Sequence, residues 1–250
     1  MAKVIAPFKI VGTLDDLNFY IDENNVNRVR TKGKTGVTSE EFKRNPIFTK
    51  AKNHGKEFGR ATKKGQSFRK VAHYFNNRAK DGSFSGRANK LMLDVIHEDV
   101  TNPHGERTVE NGMQSPDSVS YFIGFEGNKL RPLKKVLKTK WVWDETASQL
   151  TINNFNPKKK IDWPENADIL HIAIARANWN YEENKFTTEY SEEIIMGKDE
   201  STTNIKLQTT IPADKNLQLL FLFIGFSVQD RKTTKELKRS NNTVSIIWSK

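Results

Sequence analysis

A chain of 250 residues, 36% hydrophobic and 10% aromatic with 15 Phe and 5 Trp, holds core material for one large domain or two modest ones. It is too rich in aromatics for a disordered chain. It contains no Cys, which excludes disulfides, thiolate metal sites and cysteine nucleophiles and suits a reducing compartment.

The formal charge of +11 is unevenly placed. Between Val26 and Leu93 there are 18 basic residues against four acids, Glu40, Glu41, Glu57 and Asp81, so this segment carries +14. The remainder has 23 basic and 26 acidic residues, or −3, too little to neutralise the segment. Nucleic-acid phosphates or an acidic protein surface are the partners such a segment calls for. The first residues, Met1 to Pro7, lack the apolar core of roughly 7 to 15 residues that a signal peptide requires. The longest apolar run, Leu219 to Phe226, is far short of the roughly 20 residues of a membrane span. A cytoplasmic protein with no membrane partner is expected.

In chain order, residues 3 to 32 read as short strands. Asn18 to Asp22 and Val26 to Arg30 flank the turn-forming Glu23-Asn24-Asn25, which predicts a hairpin. Gly33 and Gly36 mark a loop. Thr38 and Glu41 have capping-box spacing, and Asn45-Pro46 restarts a helix with Asn45 as cap. A long helical pattern follows, with Phe48, Ala51, Gly55, Phe58, Ala61, Gly65, Phe68, Ala72, Phe75 and Ala79 as one narrow seam. Its glycines either break the helix or admit another backbone closely. Gly86 to Val100 is a second predicted helix, ended by Asn102-Pro103-His104-Gly105, and residues 111–130 read as a linker.

Beyond residue 130 the pattern turns to strands: Trp141 to Trp143, Leu150 to Ile152, Ile169 to Arg176, Lys185 to Tyr190, Ile205 to Ile211, Leu217 to Val228 and Thr243 to Trp248. Seven short strands separated by turns predict a β-sandwich, with Leu219 to Phe226 central and Thr243 to Trp248 half exposed. The expected fold class is therefore α+β. A basic hairpin-plus-helices region spans 1–110, and an antiparallel β-sandwich spans 131–250.

Four stretches carry a resemblance: Gly12-Thr13 with Asn18-Phe19-Tyr20, Val29-Arg30-Thr31-Lys32-Gly33, Gly55-Lys56-Glu57-Phe58-Gly59, and Gly105-Glu106-Arg107-Thr108-Val109. Over residues 12 to about 110 the chain resembles an uncharacterised family of basic bacterial proteins. It departs from that pattern at Asn53-His54-Gly55 and at Gly33-Lys34. The resemblance implies no activity and carries over no site residue.

Catalytic patterns are weak. Gly33-Lys34-Thr35 is not a phosphate loop, because that motif needs Gly where Arg28 stands. Asp94, His97, Glu98, Asp99, His104 and Glu106 are the densest set of metal-ligand types, but without a second His at helical spacing. Gly82-Ser83-Phe84-Ser85-Gly86 has Phe where a nucleophile elbow needs Ser, so Ser83 or Ser85 reads as a helix cap. His171 reads as a hydrogen-bonded strand residue, and His54 and His73 lack an evident carboxylate partner.

The basic segment is left as the candidate interface, with Arg28, Arg30, Lys32, Lys50, Lys52, Lys56, Arg60, Lys63, Lys64, Arg69 and Lys70 as binding residues. No catalytic residue, metal ligand or cofactor is expected. The function expected first is non-enzymatic binding of nucleic acid without sequence specificity, since no base-reading motif is present. One alternative is a self-assembling homo-oligomeric subunit, of a phage-derived or filamentous particle, whose basic arm contacts neighbours. Another is a metal-dependent nuclease using Asp94, His97 and Asp99.

Overall fold

The computed structural model describes residues 2–33, 36–212, 216–230 and 233–250, so Lys34 and Thr35 of the glycine loop lie outside the described residues. The chain divides into two units, Met1–Ala51 and Lys52–Lys250. It is α+β, with mixed helices and antiparallel sheets.

The first unit is a four-stranded antiparallel sheet of β1 (Ala2–Lys3), β2 (Gly12–Leu14), β3 (Leu17–Ile21) and β4 (Asn27–Thr31), in the order β1-β4-β3-β2. The predicted hairpin is β3–β4. Asp22 makes its turn by accepting the N–H groups of Asn24 and Val26, and Asn25 takes the left-handed conformation at φ 61°. Helix α1 (Ser39–Arg44) starts at Thr38, whose hydroxyl accepts the Glu41 N–H, and Asn45 caps the following turn through the Ile47 N–H. Asn27 is the sole buried side chain among the described residues of this unit. Leu14, Leu17, Ile21 and Phe42 are all exposed.

In the second unit, α2 (Thr49–Val71) from Lys52 onward, α3 (His73–Ala79) and α4 (Phe84–His97) precede nine strands among the described residues. The strands are β5 (Val142–Asp144), β6 (Gln149–Phe155), β7 (Ile169–Asn180), β8 (Lys185–Tyr190), β9 (Ile194–Gly197), β10 (Thr203–Gln208), β11 (Leu217–Asp230), β12 (Thr233–Glu236) and β13 (Thr243–Ser249). All seven predicted strands are present. The additional β9 and β12 are four residues each and too short to show a period. β11 pairs β7 along one edge and β12 and β13 along the other, β8 and β9 pair β7, and β10-β6-β5 form a separate three-stranded sheet.

The alternation of strand side chains assigns the two faces of the large sheet. Ala173, Ala175, Ala177 and Trp179 of β7, with Leu219, Phe221 and Phe223 of β11, share a core with Ala61, Phe68, Ala72 and Phe75 of the helices. Ile172, Ile174, Leu220, Leu222 and Ile224 share a second core with Leu150, Ile152, Ile205 and Leu207 of the small sheet.

The structure corrects three expectations in this unit. Residues 111–130 are no linker. Phe122 is fully buried, and Gly124 and Gly127 donate to the Ile246 and Val244 carbonyls, which extends the sheet beyond β13. That cover also buries β13 from Thr243 to Ile246, where half exposure was expected. α4 begins at Phe84 rather than Gly86, with Ser83 at the N-cap position as expected, but the Ser83 hydroxyl makes no capping bond to the first turn. The Asp81 carboxylate accepts the Ser83 N–H instead. Among the described residues no helix is long and apolar enough to cross a membrane.

The glycines sort by what surrounds them. A Cβ on Gly112 would lie 2.0 Å from the Val95 carbonyl oxygen, and one on Gly65 would lie 2.5 Å from Asn89 Oδ1, whereas Gly59 faces open space. Gly59→Ala therefore raises stability by up to about 1 kcal/mol through helix propensity alone. Gly112→Ala lowers it by about 1–3 kcal/mol, because backbone must move; denaturant midpoints of the two variants check both signs.

Glu126 yields a pH signature. Its carboxylate accepts the Leu133 N–H, but burial outweighs that bond and the nearby Arg87 and Lys134, and pushes the group up to about 7 from 4.5. The folded state thus holds a proton that the unfolded state releases, so stability falls as pH rises from about 4.5 to 7. Glu126→Gln should unfold like the parent below pH 4.5. At pH 8 it should be more stable by about 2 kcal/mol, as read from thermal unfolding at the two pH values.

Candidate functional site

The predicted binding residues fall into two chemical groups. In the first unit, Arg28 is ion-paired to Asp22 at 2.7 Å, Arg30 lies 5.6 Å from the Tyr20 ring centroid, and Lys32 and Lys50 are exposed. On α2, Lys52 is half-buried and Lys56, Lys63 and Lys70 are exposed. These last three recur every seventh residue, or about 10.5 Å along the axis, on one outward row. They have no ion pair among the described residues.

The other α2 cations assigned as binding residues make contacts within the fold. Lys64 is buried, ion-paired to Glu110 at 2.6 Å and bonded to the Tyr181 carbonyl and Asn184 Oδ1. The Arg60 guanidinium donates to the Arg107 and Gly105 carbonyls at 2.7 and 2.6 Å, and Arg69 donates to Asn89 Oδ1 at 3.0 Å. Arg78 is paired to Glu193 and Glu236, and Arg87 to Asp81. Glu110, Glu193 and Glu236, all outside the segment, thus neutralise Lys64 and Arg78 locally, although the remainder of the chain is too weakly acidic to balance the whole +14. Beside the outward row is a groove of about 360 Å³, with Lys63, Gln66, Ser67 and Lys70 on one side and Glu110 and Asn184 on the other.

The groups near residue 100 do not assemble as the nuclease alternative requires. The Asp99 carboxylate is buried and accepts the N–H groups of Thr101, Asn102 and Thr108, which folds the 98–108 loop around it. Glu98 receives the Tyr121 hydroxyl. Of the three groups that the nuclease alternative names, Asp94, His97 and Asp99, the Asp99 carboxylate is thus taken up by its own loop.

That loop brings His104 to α2 instead. Asn53 donates to the His104 carbonyl, and Gly105 sits at φ 97°, where a Cβ would meet the Asn53 side chain at 2.4 Å. Glu57 is fully buried. Its Oε1 accepts the Gly105 N–H and Arg107 Nε, both at 2.8 Å, and its Oε2 accepts the second Arg107 contact at 2.9 Å. His104 Nε2 is 3.8 Å from Oε2, and the His54 and His104 rings meet edge to face at 4.5 Å. One nitrogen or oxygen of each of His54, Glu57 and His104 lies within 4.8 Å of the others. The sequence reading missed this cluster because residues 54 and 57 are about 50 positions from their partner. The signal was present in the two short stretches Gly55 to Gly59 and Gly105 to Val109, whose Glu57 and Arg107 pair.

A second constellation joins Ser227 Oγ to His171 Nε2 at 2.7 Å, and His171 Nδ1 to Glu193 at 2.6 Å. The pattern is that of nucleophile, base and orienting carboxylate. Ser227 is only 1% exposed, however, so its hydroxyl has no approach for a substrate. The chain Ser227–His171–Glu193–Arg78 is a buried polar network, and His171 is the hydrogen-bonded strand residue expected of it.

Burial raises the Glu57 carboxyl, but the Arg107 and Gly105 hydrogen bonds outweigh it and hold the group down at about 2. A depressed carboxyl contributes stability that is complete above 4.5 and lost as pH falls toward 2. Glu57→Gln should cost roughly 3 kcal/mol at pH 7, since it leaves Arg107 unpaired. That cost should shrink between pH 4.5 and 2 in denaturant titrations. Comparison with protein-family models, with curated proteins and with solved structures gives no match for this chain, so geometry alone speaks for the site.

Proposed function

We propose that this protein binds nucleic acid without sequence preference, through the outward row of α2. The observation that carries the reading is the exposed series Lys56, Lys63 and Lys70. Three cations on one face of a helix attract phosphate and present no array of base-reading groups. The groove beside them offers Gln66 and Ser67 as neutral partners for a bound backbone. Cytoplasmic location accompanies the reading and is supported by the absence of Cys. The finer fold reading, a β-sandwich, is supported by the core that the two sheets share.

A second reading, the self-assembling subunit, is favoured by the first unit. None of its described hydrophobic side chains is buried, and a sheet and helix without a core need a partner surface. The nuclease reading loses its support with the Asp99 carboxylate committed to its own loop.

The number of available cations sets the salt dependence. With three phosphate contacts, affinity for a short duplex should fall roughly 40-fold between 50 and 200 mM salt. Lys56→Gln, Lys63→Gln and Lys70→Gln together should abolish most of the binding, and two unrelated duplexes should bind alike. Fluorescence anisotropy reads all three results. Binding that survives the triple substitution or stays tight at high salt sinks the proposal. A concentration-independent monomer in light scattering counts against assembly.

A further inference from the structure

We propose that His54, Glu57 and His104 form a binding site for a divalent late first-row metal ion, with Zn²⁺ as the reference case. Two unfilled ligand positions meet there. A carboxylate offers about four lone-pair directions, and three of those on Glu57 are taken by the Gly105 N–H and the two Arg107 contacts. The remaining direction belongs to Oε2, the oxygen nearest His104. His104 Nε2 is inaccessible to solvent and has no hydrogen-bond partner, an arrangement that ordinarily costs free energy. The 3.8 Å between them is too long for a hydrogen bond. It does suit two ligands of one ion, because two bonds of about 2.0–2.2 Å span up to about 4 Å.

His54 supplies the third donor. It stands one helical turn before Glu57 on α2, is exposed, and has no hydrogen-bond partner among the described residues. Its ring already lies against that of His104, and one of its nitrogens is within 4.8 Å of the other two donors' ligand atoms. Two imidazoles and one carboxylate suit Zn²⁺ and its neighbours better than Mg²⁺ or Ca²⁺, which prefer oxygen ligands throughout.

The surroundings are those of a supported site. Arg107 holds the ligating carboxylate from behind, as outer-shell partners of metal ligands do. The 98–108 loop that delivers His104 is fastened to α2 by Asn53, Arg60 and Glu57. Three protein donors leave one tetrahedral position on the exposed His54 side for water or an anionic oxygen.

The test titrates Co²⁺ into tag-free, metal-stripped protein, follows its visible absorption, and then displaces it with Zn²⁺. Parent protein should bind both ions and show a Zn²⁺-dependent rise in unfolding temperature. His54→Ala and His104→Ala should each weaken binding by more than the roughly 10- to 100-fold that loss of an outer-shell partner costs. His73→Ala, on α3, should bind as the parent does. The apo unfolding temperature reports whether each variant is folded, and the exposed His54→Ala decides if His104→Ala is not. Absence of Co²⁺ binding by the parent, or parent-like binding by a folded His54→Ala, overturns the site.

Discussion

The pairing of β7 with β11, in register from Leu217↔Trp179 to Ser227↔Ile169, places two strands that are apolar on both faces at the centre of the second unit. A strand pair of that kind must be covered twice. The small sheet covers the even-numbered side chains and the helices cover the odd-numbered ones. Ala173, Ala175 and Ala177 leave room on the helical side for the rings of Phe68 and Phe75, and Phe75 stacks on Phe223 at 4.9 Å between centroids. This demand sets the rotation of α2 about its own axis. Once Ala61, Phe68 and Val71 face inward, Lys56, Lys63 and Lys70 have to face outward.

The same rotation explains the buried carboxylate. Glu57 stands four, seven, eleven and fourteen residues before Ala61, Lys64, Phe68 and Val71, which are all buried, so it occupies the inward row. At that level its partners are polar groups of the 98–108 loop. A carboxylate there is tolerable because Arg107 and the Gly105 N–H satisfy it. Charge is handled alike elsewhere in the unit. Lys64 takes Glu110, Arg78 takes Glu193 and Glu236, and Arg87 takes Asp81. Net charge by segment overstated the free positive charge because it sums along the chain, whereas neutralisation happens across it.

What was legible follows from the range of each signal. The β3–β4 hairpin, the Thr38 and Asn45 caps, and the strands β7, β8 and β11 are local, and a few residues suffice to encode each. The Phe/Ala/Gly seam was legible from Ala61 onward, where hydrophobic period and burial coincide. One turn earlier it misled, since it placed Phe58 inside, and Phe58 is 51% exposed while Glu57 is fully buried. A hydrophobicity pattern cannot seat a carboxylate in a core, because what permits it is an arginine 50 residues away. Residues 111–130 were misread for a related reason. Their glycines suggested a flexible tether, but Gly112 and Gly127 are there for close approach to Val95 and Val244.

Helical phase also keeps the two chemistries of α2 apart. At about 100° per residue, Lys56 points about 200° away from His54 and 100° away from Glu57, although it lies between them in sequence. The ammonium groups of the outward row are thereby held off the imidazoles, where a nearby cation would oppose a bound metal ion. Arg107 is the cation that does approach, and it spends its donors on lone pairs of Glu57 that a metal at Oε2 does not need. A phosphate on the outer row and a metal ion on the inner row can therefore be present together, each held by side chains that the other leaves untouched.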